Sequence, residues 1–586
     1  MEATEQQAAR RVTITDFLRA LPPMAFDAPK MAAGAVGLLT MRPVTRESIG
    51  HIFQRIAGKH PNRPFIRFED TEISYGEANK IVNRYASVLE ANGVHPGRTV
   101  GILAGNRPET LLAALAAVKL GAAAGMINTN QRGDVLDHSV RLLDSAVLVV
   151  GEEYRHALDG VETRNVIDLD SLADGATTDR NPFATERIMA GSTAFYIFTS
   201  GTTGLPKASA MSHFRWLKSM TGLGSMGVRL TPKDTLYCCL PLYHNNALTV
   251  SLSSVLAAGA TLALGKSFSA SRFWDDVVRT KSTAFCYIGE LCRYLLNQPV
   301  RDAEKQHKVR VVVGNGLRPE IWDEFAERFR IRRIAEFYGA SECNLAFINA
   351  LNIDRTAGMC PLPFAIVEYD ADTGRAARDS SGRLTKVKSG GVGLLLTKVT
   401  SRAPFDGYTD PEATEKKLVR DGFKDGDCWF DTGDLVRNQG FKHVAFVDRL
   451  GDTFRWKGEN VATTEVEGAV GEHPDVEQAV VYGVAVPGTD GKAGMAAVKL
   501  RDGAKFDGAA MAAHLTDRLP SYAVPLFIRV INEVEQTSTF KSRKVDLRDE
   551  GYSDKVSDPM YVLQEGKYVY AYSGYADDVA AGKIKV

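Results

Sequence analysis

The sequence predicts an α/β protein built from mostly parallel sheets. Between about residues 75 and 265, short apolar strands alternate with longer helical segments, which is typical of layered α/β folds. The chain has 586 residues, of which 44% are hydrophobic and 24% charged, so its composition is that of a globular protein. At roughly 100–200 residues per domain, this length suits about three to five folding units, or one large body with a smaller module.

The first elements follow from local patterns. The apolar stretch Thr110–Met126 contains Lys119 and is shorter than the roughly 20 residues that span a bilayer. We interpret it as a buried helix that ends at Gly121 and is followed by a strand. The alternation predicts these further helices and strands: helix Glu77–Asn92, strand Thr99–Leu103, helix Arg107–Leu120 and strand Ala146–Val150.

Three regions outside this alternation define the predicted domains. Residues 1–46 form an N-terminal arm, with a short helix at Val12–Leu21 and a small apolar segment at Met31–Leu39. The arm either packs on the body or contacts a membrane surface. The Gly- and Ser-rich segment Thr373–Gly393 indicates hairpins and loops. The strand pattern breaks at Gly451, so we expect a body at residues 47–449 and a C-terminal domain at 450–586.

Charge and cysteine content exclude some classes of protein. The 71 basic residues balance the 71 acidic ones, so no global field favours nucleic acid as a partner. The seven cysteines contain no Cys-x-x-Cys pair, which is typical of reduced thiols in a cytoplasmic protein. The first residues lack the basic and apolar regions of a secretory signal, so export is not expected.

The strongest local motif is the string from Tyr196 to Ala208, in which an apolar strand leads into hydroxyl-bearing residues and glycines. Its glycines let backbone amides approach an anion, its hydroxyls can donate to phosphoryl oxygens, and its lysine supplies a positive charge. The string lacks the Walker pattern because Pro206 stands where a glycine is needed. An ordinary turn after a strand is the alternative. The candidate phosphate-binding residues are Thr199, Ser200, Gly201, Thr202, Thr203, Gly204 and Lys207.

This string resembles the signature loop of the adenylate-forming superfamily, which contains acyl-CoA synthetases, luciferases and the adenylation domains of peptide synthetases. Other stretches resemble further segments of that family, in the family's order. They are Leu240–Asn245 for a gate beside the carboxylate, Gly314–Gly316 and Glu336–Glu342 for adenine, Asp431–Asp434 for ribose, Asp448–Gly458 for the hinge, and Thr537–Arg548 for a C-terminal lysine. The resemblance extends over about residues 50–550.

Three longer strings narrow the resemblance to the fatty acid transport protein branch, the very-long-chain acyl-CoA synthetases. They are Phe268–Asp276, Tyr287–Pro299 and Gly451–Val461. Within that branch the sequence is similar to mycobacterial fatty-acid–CoA ligases. The resemblance implies the adenylate-forming enzyme fold, with a large N-terminal domain of layered sheets and helices and a small, mobile α+β C-terminal domain. It also implies ATP-dependent ligation of long or very long fatty acids to coenzyme A, through an acyl-adenylate and with release of AMP and pyrophosphate.

The resemblance also implies roles for matched residues. Glu342 would bind Mg²⁺, Lys541 would bridge the α-phosphate and the carboxylate, and His244 would be the gate. Gly458 would line the tunnel for coenzyme A, and Gly451 would be the hinge. The residues implied around ATP or AMP, besides the phosphate loop, are Gly314, Asn315, Gly316, Glu336, Phe337, Tyr338, Gly339, Ala340, Ser341, Asp434 and Arg449.

The sequence departs from the family pattern at three positions. Ser341 replaces the commoner Thr but keeps a hydroxyl, and Phe540 stands before Lys541 where the family has glycine. Gly451 replaces the usual Asp or Lys, which permits wide rotation and removes any side-chain lock on the hinge.

Two other functions share these motifs. An acyl-AMP ligase would load a carrier protein, which would be a separate chain because no Gly-Gly-x-Ser site lies in this sequence. A fatty-acid uptake protein would have transport as its primary role. The expected partners are a fatty acid, ATP and coenzyme A, without nucleic acid. A cytoplasmic location is compatible with peripheral association at the inner face of the cell membrane and with a homodimer.

Overall fold

The computed structural model describes residues 11–199, 205–339, 343–370, 373–408, 411–457, 459–487, 489, 491–534, 544–553, 556–581 and 583–584. None of the helices within these ranges is long and apolar enough to cross a membrane. Six of the seven cysteines are buried, Cys428 is half-buried, and all are free thiols, as the sequence predicts.

Residues 11–168 contain six α-helices and six strands. The helices are α1 (Ile14–Met24), α2 (Ala28–Thr40), α3 (Ile49–Lys59), α4 (Tyr75–Ala91), α5 (Pro108–Lys119) and α6 (Gly133–Leu143). The strands are β1 (Pro64–Phe68), β2 (Thr71–Ser74), β3 (Thr99–Leu103), β4 (Ala123–Met126), β5 (Val147–Val150) and β6 (Val166–Asp168). The four sequence-predicted elements are present within two residues of their expected bounds. Gly121 has a φ of +76°, which suits a glycine in the turn that ends the buried helix.

The second part of the body adds another set of alternating elements. Its strands are β7 (Thr193–Thr199), β8 (Lys207–Ser212), β9 (Thr235–Cys238), β10 (Thr261–Leu264), β11 (Ala284–Ile288), β12 (Val311–Asn315) and β13 (Arg333–Tyr338). Its α-helices are α7 (His213–Ser219), α8 (Leu252–Ala258), α9 (Phe273–Arg279), α10 (Gly289–Leu296), α11 (Ala303–Gln306) and α12 (Trp322–Arg328). Two π-helical segments lie at Met220–Val228 and Asn246–Ser251.

A β-rich region follows, as the segment Thr373–Gly393 indicates. It comprises β14 (Phe347–Ile348), β15 (Gly358–Met359), β16 (Phe364–Val367), β17 (Tyr369–Asp370), β18 (Arg375–Ala376), β19 (Val392–Lys398), β20 (Leu418–Arg420), β21 (Cys428–Gly440) and β22 (His443–Arg449), with α13 (Pro411–Glu415). The C-terminal lobe comprises β23 (Phe454–Trp456), β24 (Glu459–Val461), α14 (Thr463–Gly471), β25 (Val476–Ala485), β26 (Lys492–Leu500), α15 (Gly508–Arg518), β27 (Phe527–Val530), α16 (Lys544–Glu550), β28 (Met560–Gln564), β29 (Lys567–Tyr570) and α17 (Tyr575–Ala580).

Three sheets organise the described chain. One has the order β6-β5-β3-β4-β7-β8, with parallel pairing up to β7. The largest runs from β16 through β13, β12 and β11 to β2, and a five-stranded sheet forms the C-terminal lobe. The buried residues of the lobe form a hydrophobic cluster of their own, from Phe454 to Val579, apart from the main cluster of the body. Parallel strands with helices between them confirm the predicted α/β class.

Candidate active site

The carboxyl ends of three neighbouring parallel strands bring the predicted adenine segments together. Strand β12 lies between β11 and β13, and the register aligns Tyr287 with Gly314 and Gly314 with Glu336. Ligands of α/β proteins bind at the carboxyl ends of such strands, where the loops that follow them meet. The two segments that the sequence analysis assigned to adenine therefore share one edge of the sheet.

The Glu336 side chain anchors this edge. One carboxylate oxygen accepts hydrogen bonds from the backbone amides of Gly316 (2.5 Å) and Leu317 (3.2 Å), and the other accepts one from the Tyr287 hydroxyl. Glu336 is 5% exposed, and burial raises its pKa to about 8 although these hydrogen bonds lower it. Glu336 thus fixes the loop after β12.

The backbones at the ends of β11 and β12 approach each other closely, which explains the glycines there. A Cβ on Gly289 would lie 1.7 Å from the Gly316 carbonyl oxygen, and one on Gly314 would lie 2.3 Å from the Tyr287 carbonyl oxygen. Gly316 itself has a φ of +82°, a conformation that favours glycine. No larger residue fits at these three positions without moving the backbone, so the turn after β12 is held in one shape.

A second cluster joins the predicted adenine and ribose residues. The Tyr338 hydroxyl donates to Asp434 Oδ2 at 2.5 Å, and Arg449 Nε lies 3.6 Å from Asp434 Oδ1. Asp434 pairs directly with Arg449 across strands β21 and β22. The Tyr338 ring is 8% exposed and lies 6.4 Å from the nearly parallel ring of Phe446, which is 44% exposed. An aromatic surface, a carboxylate and a guanidinium therefore meet at one point of the sheet.

The predicted gate residue lies next to this edge. His244 is half-buried, its ring centroid is 4.8 Å from that of Tyr243, and its carbonyl accepts from the Ala247 and Leu248 amides where the π-helix begins. Two residues later, Asn246 Nδ2 donates to Asn315 Oδ1 at 2.9 Å. This bond links the gate segment to the predicted adenine segment, although no sequence motif singles out Asn246.

The structure describes only the two ends of the predicted phosphate loop. Thr199 ends β7 and pairs with Lys207 at the start of β8, and Lys207 Nζ lies 5.7 Å from the centroid of the Tyr408 ring. The apolar run before the motif therefore forms strand β7, as the sequence predicts. Residues 200–204 lie outside the described residues, as do Ala340, Ser341, Glu342, Gly458 and Lys541.

The hinge prediction falls on an open backbone position. A Cβ on Gly451 would meet nothing within 4 Å. Three residues earlier, the Asp448 carboxylate accepts hydrogen bonds from the Thr463 amide (2.5 Å) and the Thr463 hydroxyl (2.9 Å). Lys544 Nζ donates to the same Thr463 hydroxyl at 2.6 Å and pairs with Glu467 at 2.9 Å. Strand β22 of the body is thus tied through Asp448 to helix α14 of the C-terminal lobe, and Lys544 ties α16 to α14.

An ion pair also connects that lobe to the body. Arg318 Nη2 lies 3.2 Å from Glu467 and 3.5 Å from Glu290, and Glu467 is 5% exposed. The two carboxylates raise the pKa of Arg318 against the effect of its burial, which keeps the guanidinium charged. Glu467 therefore pairs with a cation from the body and with Lys544 of its own lobe.

Sequence reasoning missed several residues of this site. Tyr287, Asn246 and Phe446 each contact a predicted site residue, yet none was assigned a role. Tyr287 lies in a string quoted only for its family resemblance, and its placement follows from strand order. The end of β11 must lie beside that of β12 once the three strands are known to be parallel neighbours.

The raised pKa of Glu336 gives a pH-dependent prediction. The pKa of Glu336 is 4.5 in the unfolded chain and about 8 in the folded protein, so between these pH values only the folded protein keeps the proton. The stabilisation that this bound proton gives is complete below pH 4.5 and is lost as the pH rises through about 8. Glu336→Gln removes the titration. We expect the stability of the variant relative to wild type to rise by about 1–3 kcal/mol between pH 5 and pH 8.5. Thermal midpoints at both pH values test this, and a pH-independent difference would contradict it.

Comparisons with known proteins agree with this geometry. The AMP-binding enzyme family matches residues 53–385, and the AMP-binding enzyme C-terminal domain matches residues 465–541. The chain is 54% identical to the medium/long-chain-fatty-acid–CoA ligase FadD6 of Mycobacterium tuberculosis strain H37Rv. The alignment extends over 583 residues and covers 98% of each chain. It is 38% identical to the rat long-chain fatty acid transport protein 2, over 90% of this chain and 89% of that one.

Solved structures show the same fold at low identity. ATP-bound MatB from Rhodopseudomonas palustris superposes with a TM-score of 0.73 at 23% identity, covering 85% of this chain and 98% of that one. A fatty acyl CoA synthetase of Mycobacterium tuberculosis gives a TM-score of 0.62 at 22% identity, over 87% and 99%. The predicted fold is confirmed, and the chain belongs to the AMP-binding enzyme family of the adenylate-forming superfamily, with the long-chain fatty acid transport proteins among its homologues.

Proposed function

We propose that this protein is an AMP-forming fatty acid–CoA ligase that acts on long-chain and very-long-chain acids. The observation that carries the proposal is the cluster of Tyr338, Asp434 and Arg449, which unites three separated segments at the sheet edge. It lies in a chain that is 54% identical, over 98% of its length, to a protein named a medium/long-chain-fatty-acid–CoA ligase.

The first half-reaction activates the carboxylate. A carboxylate oxygen attacks the α-phosphorus of ATP, the bond to the bridging oxygen breaks, and pyrophosphate leaves. The nucleophile is already an anion, so the reaction needs positioning and charge neutralisation rather than a general base. In this proposal the loop from Thr199 to Lys207 holds the β and γ phosphates, and Lys541 neutralises the crowded charge between the α-phosphate and the carboxylate.

The nucleoside would be held at the edge formed by β12, β13 and β21. Asp434 has acceptor oxygens that suit the two ribose hydroxyls, and Arg449 adds a cation on the same side. Adenine would stack on the aromatic surface of Tyr338, whose orientation is set by its hydrogen bond to Asp434. The described contacts of Glu336 give it a supporting part, because it fixes the loop of Gly314, Asn315 and Gly316 against which the base would lie.

Mg²⁺ and the gate complete the proposed first step. Mg²⁺ would supply positive charge to the phosphates, and Glu342 fits it chemically because hard cations prefer carboxylate oxygen. Glu342 lies outside the described residues, so this assignment depends on the sequence resemblance.

His244 is proposed as the gate beside the acyl site. Its half-buried position is compatible with that role, and Asn246, two residues later, contacts Asn315.

The second half-reaction makes the thioester. The thiol of coenzyme A attacks the acyl carbonyl, AMP leaves with the former carboxylate oxygen, and the thiol proton is lost. We propose that the domain boundary lies between residues 449 and 450 and that the C-terminal lobe rotates about Gly451 between the two steps. The open surroundings of Gly451 are compatible with such rotation, and the Arg318–Glu467 ion pair would have to break or exchange partners.

Gly458 is proposed to line the tunnel for coenzyme A. Gly458→Leu should therefore lower CoA transfer by at least about 10²-fold while adenylation stays near wild type, because the side chain obstructs only the path of the thiol. Pyrophosphate exchange and acyl-CoA formation measure the two steps separately. Gly471→Leu is a matched control, since a Cβ there meets nothing within 4 Å. Loss of pyrophosphate exchange together with CoA transfer would contradict the tunnel assignment.

The proposal is tested by ligation with acids from about C8 to C26 in the presence of ATP and coenzyme A. We expect acyl-CoA and AMP in equal amounts for long chains. Activity confined to chains below C12 would contradict the long-chain assignment. Accumulation of acyl-adenylate without acyl-CoA would favour the acyl-AMP ligase instead.

We further propose a cytoplasmic protein that associates peripherally with the inner face of the cell membrane. Long-chain fatty acids partition into bilayers, so an enzyme that consumes them gains from a position at the membrane surface. Uptake would then follow from trapping the acid as its thioester, in keeping with the named fatty acid transport proteins among the relatives.

A further inference from the structure

The outer surface of the N-terminal arm is unusually apolar. Seven of the seventeen large hydrophobic side chains that are exposed in the described part of the chain lie between residues 14 and 44. They are Ile14, Leu18, Leu21, Phe26, Val36, Leu39 and Val44, each 55% to 94% exposed. Isolated exposed hydrophobic residues are normal on protein surfaces, but a contiguous set indicates an interaction surface. We call the exposed side of residues 14–44 the arm surface.

These side chains form stripes on two successive helices. Ile14, Leu18 and Leu21 are spaced i, i+4, i+7 on α1, so they share one face. On α2, Ala32, Val36 and Leu39 likewise share an exposed face. Each helix therefore carries an exposed apolar stripe, and exposed Phe26 lies in the 3₁₀ turn between the two.

Charged side chains are absent from the middle of this surface. Between residues 20 and 41 the sequence contains only Asp27 and Lys30 as charged residues. Both face the body: Asp27 lies 3.4 Å from Arg229, and Lys30 donates to the Leu230 carbonyl at 3.2 Å. The exposed charged residues at the margins are the cations Arg19, Arg42 and Arg46. The arm surface is thus an apolar strip with a basic border.

The arm is held in place from its inner side. Phe17 packs on Phe441 with ring centroids 5.3 Å apart, and the Val12 amide donates to the Gln439 carbonyl at 2.9 Å. On α2, Cβ atoms at Gly34 and Gly37 would come within 2.8 Å of the π-helix at Met220–Val228, so the two backbones pack closely. The exposed apolar side chains therefore belong to a docked element whose opposite face is already buried.

A groove with basic side chains lies in the body. It has a volume of about 340 Å³, and its lining includes the apolar residues Ile56 and Leu256 and the cations Arg55, Lys59 and Arg63. Pro232 also lines it, two residues after the carbonyl that Lys30 binds. A groove lined by both cations and apolar side chains suits an anionic headgroup attached to an acyl chain.

We propose that the arm surface docks on an anionic phospholipid bilayer, with the strip at the boundary between headgroups and acyl chains and the arginines on the phosphates. Helices α1 and α2 have 11 and 13 residues, shorter than the roughly 20 needed to span a bilayer, so they lie in the interface. Residues 1–10 contain no large apolar residue besides Met1, so they lack the side chains to cover the strip. The basic border favours anionic lipid over a neutral apolar partner.

The test is flotation of the full-length protein with vesicles, without ATP or coenzyme A. Wild type should bind vesicles of phosphatidylcholine and phosphatidylglycerol at a 7:3 ratio. The triple variant Leu18→Gln, Val36→Gln, Leu39→Gln should bind at least tenfold more weakly, because its three side chains are exposed and would insert into the bilayer. The matched control is Phe183→Gln with Val300→Gln, two exposed apolar residues outside the arm, which should bind like wild type.

A second variant tests the basic border. Arg19→Gln, Arg42→Gln, Arg46→Gln should lower the preference for the mixed vesicles over pure phosphatidylcholine at least tenfold at 100 mM salt. Thermal midpoints near the wild-type value show that each variant is folded.

Three results would overturn the proposal. Wild type could fail to bind the mixed vesicles, or the apolar triple variant could bind them as wild type does. Alternatively, sedimentation velocity could show a wild-type dimer that the triple variant converts to monomer, which would assign the arm surface to a second copy of this chain. The proposal deepens the peripheral location proposed above. Because vesicle binding is measured without catalysis, its failure would leave the ligase proposal intact.

Discussion

Lys541→Ala should lower acyl-adenylate formation by about 10²–10³-fold, because the lysine would neutralise charge at the point where carboxylate and α-phosphate meet. Thioester formation from supplied acyl-adenylate should stay within a few-fold of wild type, since by then the crowded anionic transition state has passed. Pyrophosphate exchange measures the first step, and acyl-CoA formed from synthetic acyl-adenylate measures the second.

Lys505→Ala, which removes an exposed lysine from the same lobe, is the matched control and should change neither step. An equal fall in both half-reactions for Lys541→Ala would contradict the assigned role. The same variant separates ligation from transport in cells. If fatty-acid import persisted in the variant while ligation was lost, transport would be the primary function.

Asp434→Ala should lower kcat/KM for ATP by about 10²–10⁴-fold, because hydrogen bonds to a charged group contribute about 1.5–3 kcal/mol each and the ribose diol would lose two. The loss should depend on the ribose hydroxyls. Wild type should therefore discriminate strongly against 2′-deoxy-ATP, and the variant should handle ATP and 2′-deoxy-ATP almost equally.

Tyr338→Phe provides the control for that experiment. It removes the hydroxyl that donates to Asp434 at 2.5 Å and keeps the aromatic ring. We expect Tyr338→Phe to retain discrimination between ATP and 2′-deoxy-ATP. If Asp434→Ala discriminated between the two nucleotides as wild type does, the ribose assignment would be wrong.

Much of the fold could be predicted because its signals are local. Strand Thr99–Leu103 was predicted with its observed bounds, and the turn at Gly121 is encoded by a glycine that follows an apolar helix. Motif residues such as Tyr338 and Asp434 were found because each lies in a string whose pattern is itself distinctive. The sequence left two interpretations of the N-terminal arm open, packing on the body or contact with a membrane surface. The structure has a feature that suits each, because the inner face of the arm is packed and its outer face is apolar.

The remaining features depend on contacts between distant segments. Nothing near Tyr287 or Asn246 in the chain indicates that they bond Glu336 and Asn315, because those pairs are 49 and 69 residues apart. The motif that contains Glu336 likewise does not reveal that its carboxylate accepts hydrogen bonds from the backbone amides of Gly316 and Leu317. The Arg318–Glu467 pair joins the body to the lobe and could be found only once the two were assembled.

The most direct test of the account follows the oxygen atoms of the carboxylate. With a long-chain fatty acid labelled with ¹⁸O in both carboxylate oxygens, ATP and coenzyme A, mass spectrometry should find one ¹⁸O in each AMP released. The label arrives there because the attacking oxygen stays on phosphorus when the thiol displaces AMP. Acyl-CoA formed with unlabelled AMP, or with ADP and labelled inorganic phosphate, would contradict the acyl-adenylate and with it the proposed mechanism.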